Sequence, residues 1–173
     1  MIASLLSTQH RRYLFPLLVW LLLALLLGGC AGTTKPPLPP APPVQGNAQA
    51  VRDALTLQGA PYRFGGESPA QGFDCSGLVH YVYARQGVNL PRDTLSMAQT
   101  LPSVPPEERR PGDLLFFDTD KPWSHVGLYI GHDAFVHAAS SNTGRVMVSD
   151  LNLPYWRERF LGVRRPPRVR ARR

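Results

Sequence analysis

The 173-residue sequence holds only two cysteines, has no internal repeat, contains no apolar run of the length that a membrane-spanning helix requires and, with its ends set apart, carries no excess of positive charge. Each shortage excludes something. Two cysteines, Cys30 and Cys75, permit at most one internal disulfide. The apolar run from Tyr13 to Leu27 is about 15 residues long, where a spanning helix needs roughly 20. A formal charge of +7 would suit a nucleic-acid partner, but Arg11 and Arg12 stand before that run and Arg164, Arg165, Arg168, Arg170, Arg172 and Arg173 crowd the far end. Residues 30–163 keep 11 basic against 12 acidic groups. The body of the chain is therefore near neutral, and no nucleic-acid partner is expected.

What is present begins with a leader. His10, Arg11 and Arg12 precede the apolar run, which ends at Leu27, and Gly28, Gly29 and Cys30 follow it. A positive start, an apolar core and a small-residue cleavage site are the parts of an export signal, residues 1–29, with an uncleaved anchor as the alternative. LGGC resembles the bacterial lipoprotein signal. The resemblance implies that Cys30 is lipidated and becomes the first residue of the mature chain, tethering it to a membrane. Ala31, in place of an aspartate, implies the outer membrane of a Gram-negative cell, facing the periplasm. Residues 30–46 then place Pro36, Pro37, Pro39, Pro40, Pro42 and Pro43 close together. Such a segment favours the extended polyproline form, at about 3.1 Å per residue, and acts as a semi-rigid spacer. Residues 166–173 read as a disordered basic tail, either attracted to anionic surfaces or simply solvated.

Residues 47–165 are long enough for one domain. Val51, Ala54 and Leu55 recur at helical spacing between Asn47 and Gln58, with Asn47 placed to cap and Gly59 and Pro61 to close. A second helix is expected from Asp74 to Gly87. Its stripe is Cys75, Leu78, Val79 and Val82, its N-cap Asp74, and Gly77 leaves room for close approach. The period then changes. DLLFF, HVGLYI, AFVHAA, RVMVS and RFLGVRR read as short strands separated by Pro, Gly, Asp and Asn. An α+β domain follows, with helices packed on an antiparallel sheet.

Cys75 has four readings: packing, a metal ligand, half of a disulfide, or a nucleophile. If Cys30 carries lipid, the disulfide is unavailable. At a helix N-terminus the oriented amides favour the thiolate and are expected to lower the thiol pKa below its free value of about 8.5, which suits a nucleophile. A nucleophile wants a histidine within reach. His10 lies in the leader, His132 in the expected turn IGHD, and His80 about 140° around the helix from Cys75. His125 opens one strand and His137 lies in the next, so antiparallel pairing brings them within one or two residues of register. Cys75, His125 and His137 could also make an open zinc site, although no fourth ligand is apparent.

FDCSGLV, SHVGLYIG and FVHAAS, with PYRFGG upstream and RPGDLLFF between them, resemble the NlpC-type cysteine peptidases of bacterial cell walls, over about Asn47 to Arg165. The resemblance implies a papain-like α+β core that cleaves peptidoglycan stem peptides, without a cofactor and as a monomer. It makes Cys75 the nucleophile, His125 the base and His137 the residue that orients the base. It also implies that Tyr62 stands beside the nucleophile, where its hydroxyl assists the oxyanion or the substrate, and that Asp74 and Ser76 meet the substrate peptide's amine. Capping alone would explain Asp74. Arg92 fits the pattern after the catalytic helix, either facing a substrate carboxylate or in an ordinary surface salt bridge. Rival readings are a catalytically silent wall-binding lipoprotein and a thiol amidase or acyltransferase on the same core.

Overall fold

The computed structural model describes residues 47–139 and 143–168. Cys30, the proline-rich segment, and Arg170, Arg172 and Arg173 lie outside the described residues. Helix α1 (Ala48–Thr56) buries Ala50, Val51 and Ala54; of the expected stripe Val51 and Ala54 are buried and Leu55 is only partly so. Asn47 precedes α1 but makes no side-chain capping bond. Its amide instead donates to the Tyr83 hydroxyl (3.1 Å) and to the Pro167 carbonyl (3.2 Å). At 6% exposure the side chain's Nδ2 donor is thereby engaged by the buried Tyr83 hydroxyl and by a carbonyl near the far end of the chain.

A short hairpin, β1 (Glu67–Ser68) with β2 (Gly72–Phe73), leads into helix α2 (Cys75–Ala84). Asp74 caps α2, its carboxylate accepting from the Gly77 N–H at 2.6 Å. Gly77 is required there, because a Cβ would stand 2.1 Å from the Gly66 carbonyl oxygen. The helix ends at Ala84 rather than at Gly87, since the N–H groups of Gln86 and Gly87 bond three residues back, to Tyr83 and Ala84. Helix α3 (Thr94–Thr100), capped by Asp93, and strand β3 (Ser103–Val104) come next.

The strands β4 (Leu114–Phe117), β5 (His125–Gly131), β6 (Ala134–Ala138), β7 (Val146–Asp150) and β8 (Phe160–Arg164) join β3 in a six-stranded sheet of order β3-β8-β4-β5-β6-β7. Every pairing is antiparallel. Alternation along the strands splits the core in two. Leu114, Phe116, Val126, Leu128, Val136, Ala138 and Val146 pack with residues of α1, α2 and α3. Leu115, Phe117, Tyr129, Phe135 and Val163 form a second cluster with Trp156 and Phe160. LLFF is continuously apolar because β4 is buried on both faces. This is the α+β arrangement that the resemblance implies, with a cysteine at the first turn of a helix on an antiparallel sheet.

The turn between β5 and β6 is His132–Asp133, both at positive φ (51° and 55°), the sign a two-residue hairpin turn of matching twist demands. Helix α4 (Pro154–Arg159), between β7 and β8, carries Trp156 and is not expected from the strand pattern. At the far end Arg165 pairs with Asp113 (2.7 Å), Arg164 donates to the Ala98 carbonyl (2.7 Å) and Pro166 is buried. Arg164 and Arg165 are thus bound within the domain rather than free tail cations, and with Pro167 bonded to Asn47 the chain stays packed past residue 165. No helix of the described residues is long and apolar enough to cross a membrane.

Candidate active site

The ladder between β5 and β6 starts at Leu128 paired with Val136, so the first residues of β5 are not paired with β6. The first turn of α2 meets the strand at that opening. Cys75 Sγ lies 3.9 Å from the Ser124 carbonyl oxygen, at the doorstep of His125, and the residue is half-buried against the core. Burial pushes the thiol up to about 11. The N–H of Val126 pulls it down, the neighbouring Asp74 carboxylate pushes it further up, and the N–H groups of Ser76 and Cys75 pull weakly down. The helix start alone predicts the opposite direction. It is overruled because the sulfur is crowded by apolar core and sits beside a capping carboxylate, both of which disfavour a negative charge.

His125 and His137 are 8% and 1% exposed. Their rings meet edge to face, with His125 Nε2 and His137 Nδ1 at 2.9 Å. His137 pairs with Met147 across β6–β7, and continuing the β5–β6 register puts His125 two residues from the position opposite His137, a diagonal on one sheet face. Burial lowers His125 to about 4, and burial with the charge of His125 lowers His137 to about 3. Both rings are therefore neutral at pH 7. Trp156 covers them, stacked on His125 (5.5 Å between centroids, 27°) and edge-on to His137 (4.9 Å, 80°). The glycine of HVGLY has a steric reason, since a Cβ on Gly127 would stand 2.4 Å from the Phe135 ring, which packs against His137.

Trp123, two residues before His125, holds a left-handed backbone (φ 65°), unusual for so bulky a residue. The Phe116 ring and the Arg164 guanidinium, 4.9 Å from the indole centroid, hold it in place. Tyr62 packs at the core's edge, and burial, then the nearness of Cys75 and Asp74, holds its phenol above the ordinary range. Tyr62 thus stands near the thiol.

Asp74 and Ser76 are 9% and 6% exposed and are committed inside the protein. Besides Gly77, the Asp74 carboxylate accepts from the Gly65 N–H (2.8 Å) and from both terminal nitrogens of Arg92 (2.9 and 3.0 Å), and Ser76 Oγ accepts from Arg92 (2.9 Å). Arg92 also reaches Glu67 at 2.8 Å. Of the two readings of Arg92, the salt bridge is the one observed, and it is largely internal. His80 bonds the Leu90 carbonyl at 2.8 Å, away from the thiol.

Sequence reasoning missed two contributors. Trp156 is hidden because a six-residue helix between strands leaves little periodicity. Ser149 Oγ lies 2.9 Å from His137 Nε2, continuing the diagonal one strand further. A signal for it existed: His125, His137 and Ser149 are spaced by twelve residues each. A cavity of about 360 Å³ opens beside the pair, lined by His125, His137, Ser149, Leu153, Tyr155 and Trp156 among others. Among the described residues no group of three or more His, Cys, Asp or Glu is arranged to hold a metal. The thiol at the start of α2 thus meets the backbone that leads into His125, whose buried imidazole is hydrogen-bonded to that of His137, and a thiol served by an imidazole is equipped for nucleophilic attack on a carbonyl.

The family model described as "NlpC/P60 family" matches residues 59–165. A gamma-DL-glutamyl hydrolase of Bacillus subtilis (strain 168) is 38% identical over 128 residues, covering 72% of this chain and 30% of that protein. The murein DD-endopeptidase MepS/murein LD-carboxypeptidase of Escherichia coli (strain K12) is 41% identical over 109 residues, covering 62% of this chain and 56% of that protein. The chain thus spans under two thirds of the length of these relatives. Among solved structures, an NlpC/P60 family protein from Bacillus cereus superposes with a TM-score of 0.66 at 31% identity, over 72% of this chain and 41% of that one.

Proposed function

This chain belongs to the NlpC/P60 family, and from that membership and the geometry of the site we propose that it is a peptidoglycan endopeptidase of the cysteine type. Cys75 is the nucleophile, His125 the base and His137 the residue that orients it. The observation that carries this reading is the contact of His125 Nε2 with His137 Nδ1 at 2.9 Å, which leaves Nδ1 of His125 as the nitrogen that can take the thiol's proton.

With the thiol pushed up and both imidazoles pushed down, the thiol and both rings rest uncharged. Neither group ionises readily alone, so thiolate and imidazolium form together, each compensating the other. As the Sγ–C bond forms, the thiol's proton moves to His125 Nδ1 and the carbonyl electrons move to oxygen. The backbone N–H of Cys75, at the start of α2, donates to that oxyanion, and the Tyr62 hydroxyl assists it. The C–N bond then breaks as His125 returns the proton to the leaving amine, leaving a thioester. Water, deprotonated by His125, attacks the thioester and frees the acid and the thiol. Asp74 and Ser76 hold the start of α2 and, with Arg92, shape the donor side of the cleft where the substrate's amine would lie.

Residues 47–165 form the catalytic domain in this reading, and residues 30–46 a spacer from a lipid on Cys30 in the outer membrane. Mass spectrometry of stem peptides incubated with the purified protein tests the proposal. New fragments differing by one water across an amide are expected with the parental chain and absent with Cys75→Ala, and their masses identify the bond. Binding of stem peptide without cleavage by the parental chain would overturn it in favour of a silent wall-binding protein.

A further inference from the structure

We infer that Ser149 is a positioning residue for the reaction, the terminal member of a relay Cys75–His125–His137–Ser149 whose hydroxyl fixes the working tautomer of both imidazoles. The inference rests on the reading of His125 as base. To take the thiol's proton, His125 must offer a lone pair on Nδ1, so its proton sits on Nε2. That Nε2–H points at His137 Nδ1, 2.9 Å away, which must accept. His137 then carries its own proton on Nε2, and the atom facing that proton at 2.9 Å is Ser149 Oγ. The working state therefore needs an acceptor where Ser149 stands.

A hydroxyl suits that place because it accepts while its own proton turns elsewhere. Ser149 is partly exposed and borders the cavity beside the histidine pair, so its proton can be given to solvent or to a substrate carbonyl held there. Pointed the other way, the same proton would be donated to His137 Nε2, reversing both tautomers and placing a proton on His125 Nδ1. In that state the base is blocked. The sheet makes the arrangement rigid: Ser149 pairs with Phe135 and His137 with Met147, so Ser149 and His137 share a face one diagonal step apart, as His137 and His125 do. A carboxylate at the same spot would also accept, but beside two buried imidazoles it would favour imidazolium in the resting state. Serine accepts without that charge.

The test uses ¹⁵N histidine NMR and stem-peptide kinetics on the full chain and on Ser149→Ala and Ser149→Thr. The parental chain should show both His125 and His137 as the Nε2–H tautomer at pH 7. Ser149→Ala should give His137 mixed tautomers and lower kcat about ten-fold, the worth of one hydrogen bond in place, with little change in KM. Ser149→Thr, which keeps the hydroxyl, should restore both. His137 found as Nδ1–H in the parental chain would overturn the relay. So would a Ser149→Ala variant with unchanged tautomers and unchanged kcat. A parental chain that cleaves no stem peptide sinks the proposed function, while the tautomers still decide the relay. Should Ser149→Ala fail to fold, the parental spectrum decides alone.

Discussion

Lowering the pH from 7 to 4.5 should cost this domain about 5 kcal/mol of folding free energy, and the histidine pair is the cause. Each ring titrates near its ordinary 6.5 in the unfolded chain but is lowered to about 4 (His125) or about 3 (His137) in the fold, because burial disfavours the charge. Between those values the unfolded chain binds more protons than the native one, so stability is whole above about pH 6.5 and is lost as the pH falls toward the folded values. At pH 4.5, two units below 6.5, each ring accounts for roughly 2–3 kcal/mol at 1.36 kcal/mol per unit. The carboxylates held low, Asp93 and Asp133, release little there, since their ordinary value is 3.8. Against a total of roughly 5–15 kcal/mol for a small domain, the loss is large. Urea unfolding followed by circular dichroism at both pH values, on the parental chain and on His137→Asn, measures it. The variant has one ring fewer to protonate, so its difference between the two pH values should shrink by about half. Equal midpoints at the two pH values, or an undiminished difference in His137→Asn, would refute the claim that the rings are buried neutral.

The thiol provides a second check. With Cys75 raised to about 11, iodoacetamide should modify it at pH 7 on the order of a hundredfold more slowly than a free thiol, the rate climbing past pH 9; a plateau below pH 8 would restore the thiolate expected from the helix start alone. Gly127→Ala drives a Cβ into the Phe135 ring and should destabilise the fold by about 2 kcal/mol while lowering kcat through the displaced His137, as thermal unfolding and kinetics would read. Arg92→Ala leaves the nearly buried Asp74 carboxylate without its cation and should cost about 2–3 kcal/mol, and an unfolding midpoint equal to the parental one would make the ion pair dispensable.

The strands that hold the site were legible because alternation and the punctuation between them are local. DLLFF, HVGLYI, AFVHAA, RVMVS and RFLGVRR all lie in the sheet, and counting outward from the IGHD turn brought His125 and His137 within two residues of register. Asp74 was readable as a cap for the same reason. What was not legible depends on the third dimension. Trp156 sits on a helix too short to show a period, and the Asn47 amide is engaged by the Tyr83 hydroxyl and the Pro167 carbonyl, both distant in sequence. The direction of the Cys75 shift turns on how much core surrounds one sulfur atom. A helix-start argument sees the amides but not the crowding.

Cys75, His125 and His137 are proposed to act as one unit on a stem-peptide amide. The direct measurement is the initial rate of stem-peptide cleavage by Cys75→Ala, His125→Ala, His137→Ala and His137→Asn beside the parental chain, each shown folded by circular dichroism. Cys75→Ala and His125→Ala should each lose nearly all activity, and His137→Asn, which keeps an acceptor for His125 Nε2–H, should retain far more than His137→Ala. Cleavage by folded Cys75→Ala at the parental rate, or a folded His137→Ala that matches the parental chain, would rule out this triad.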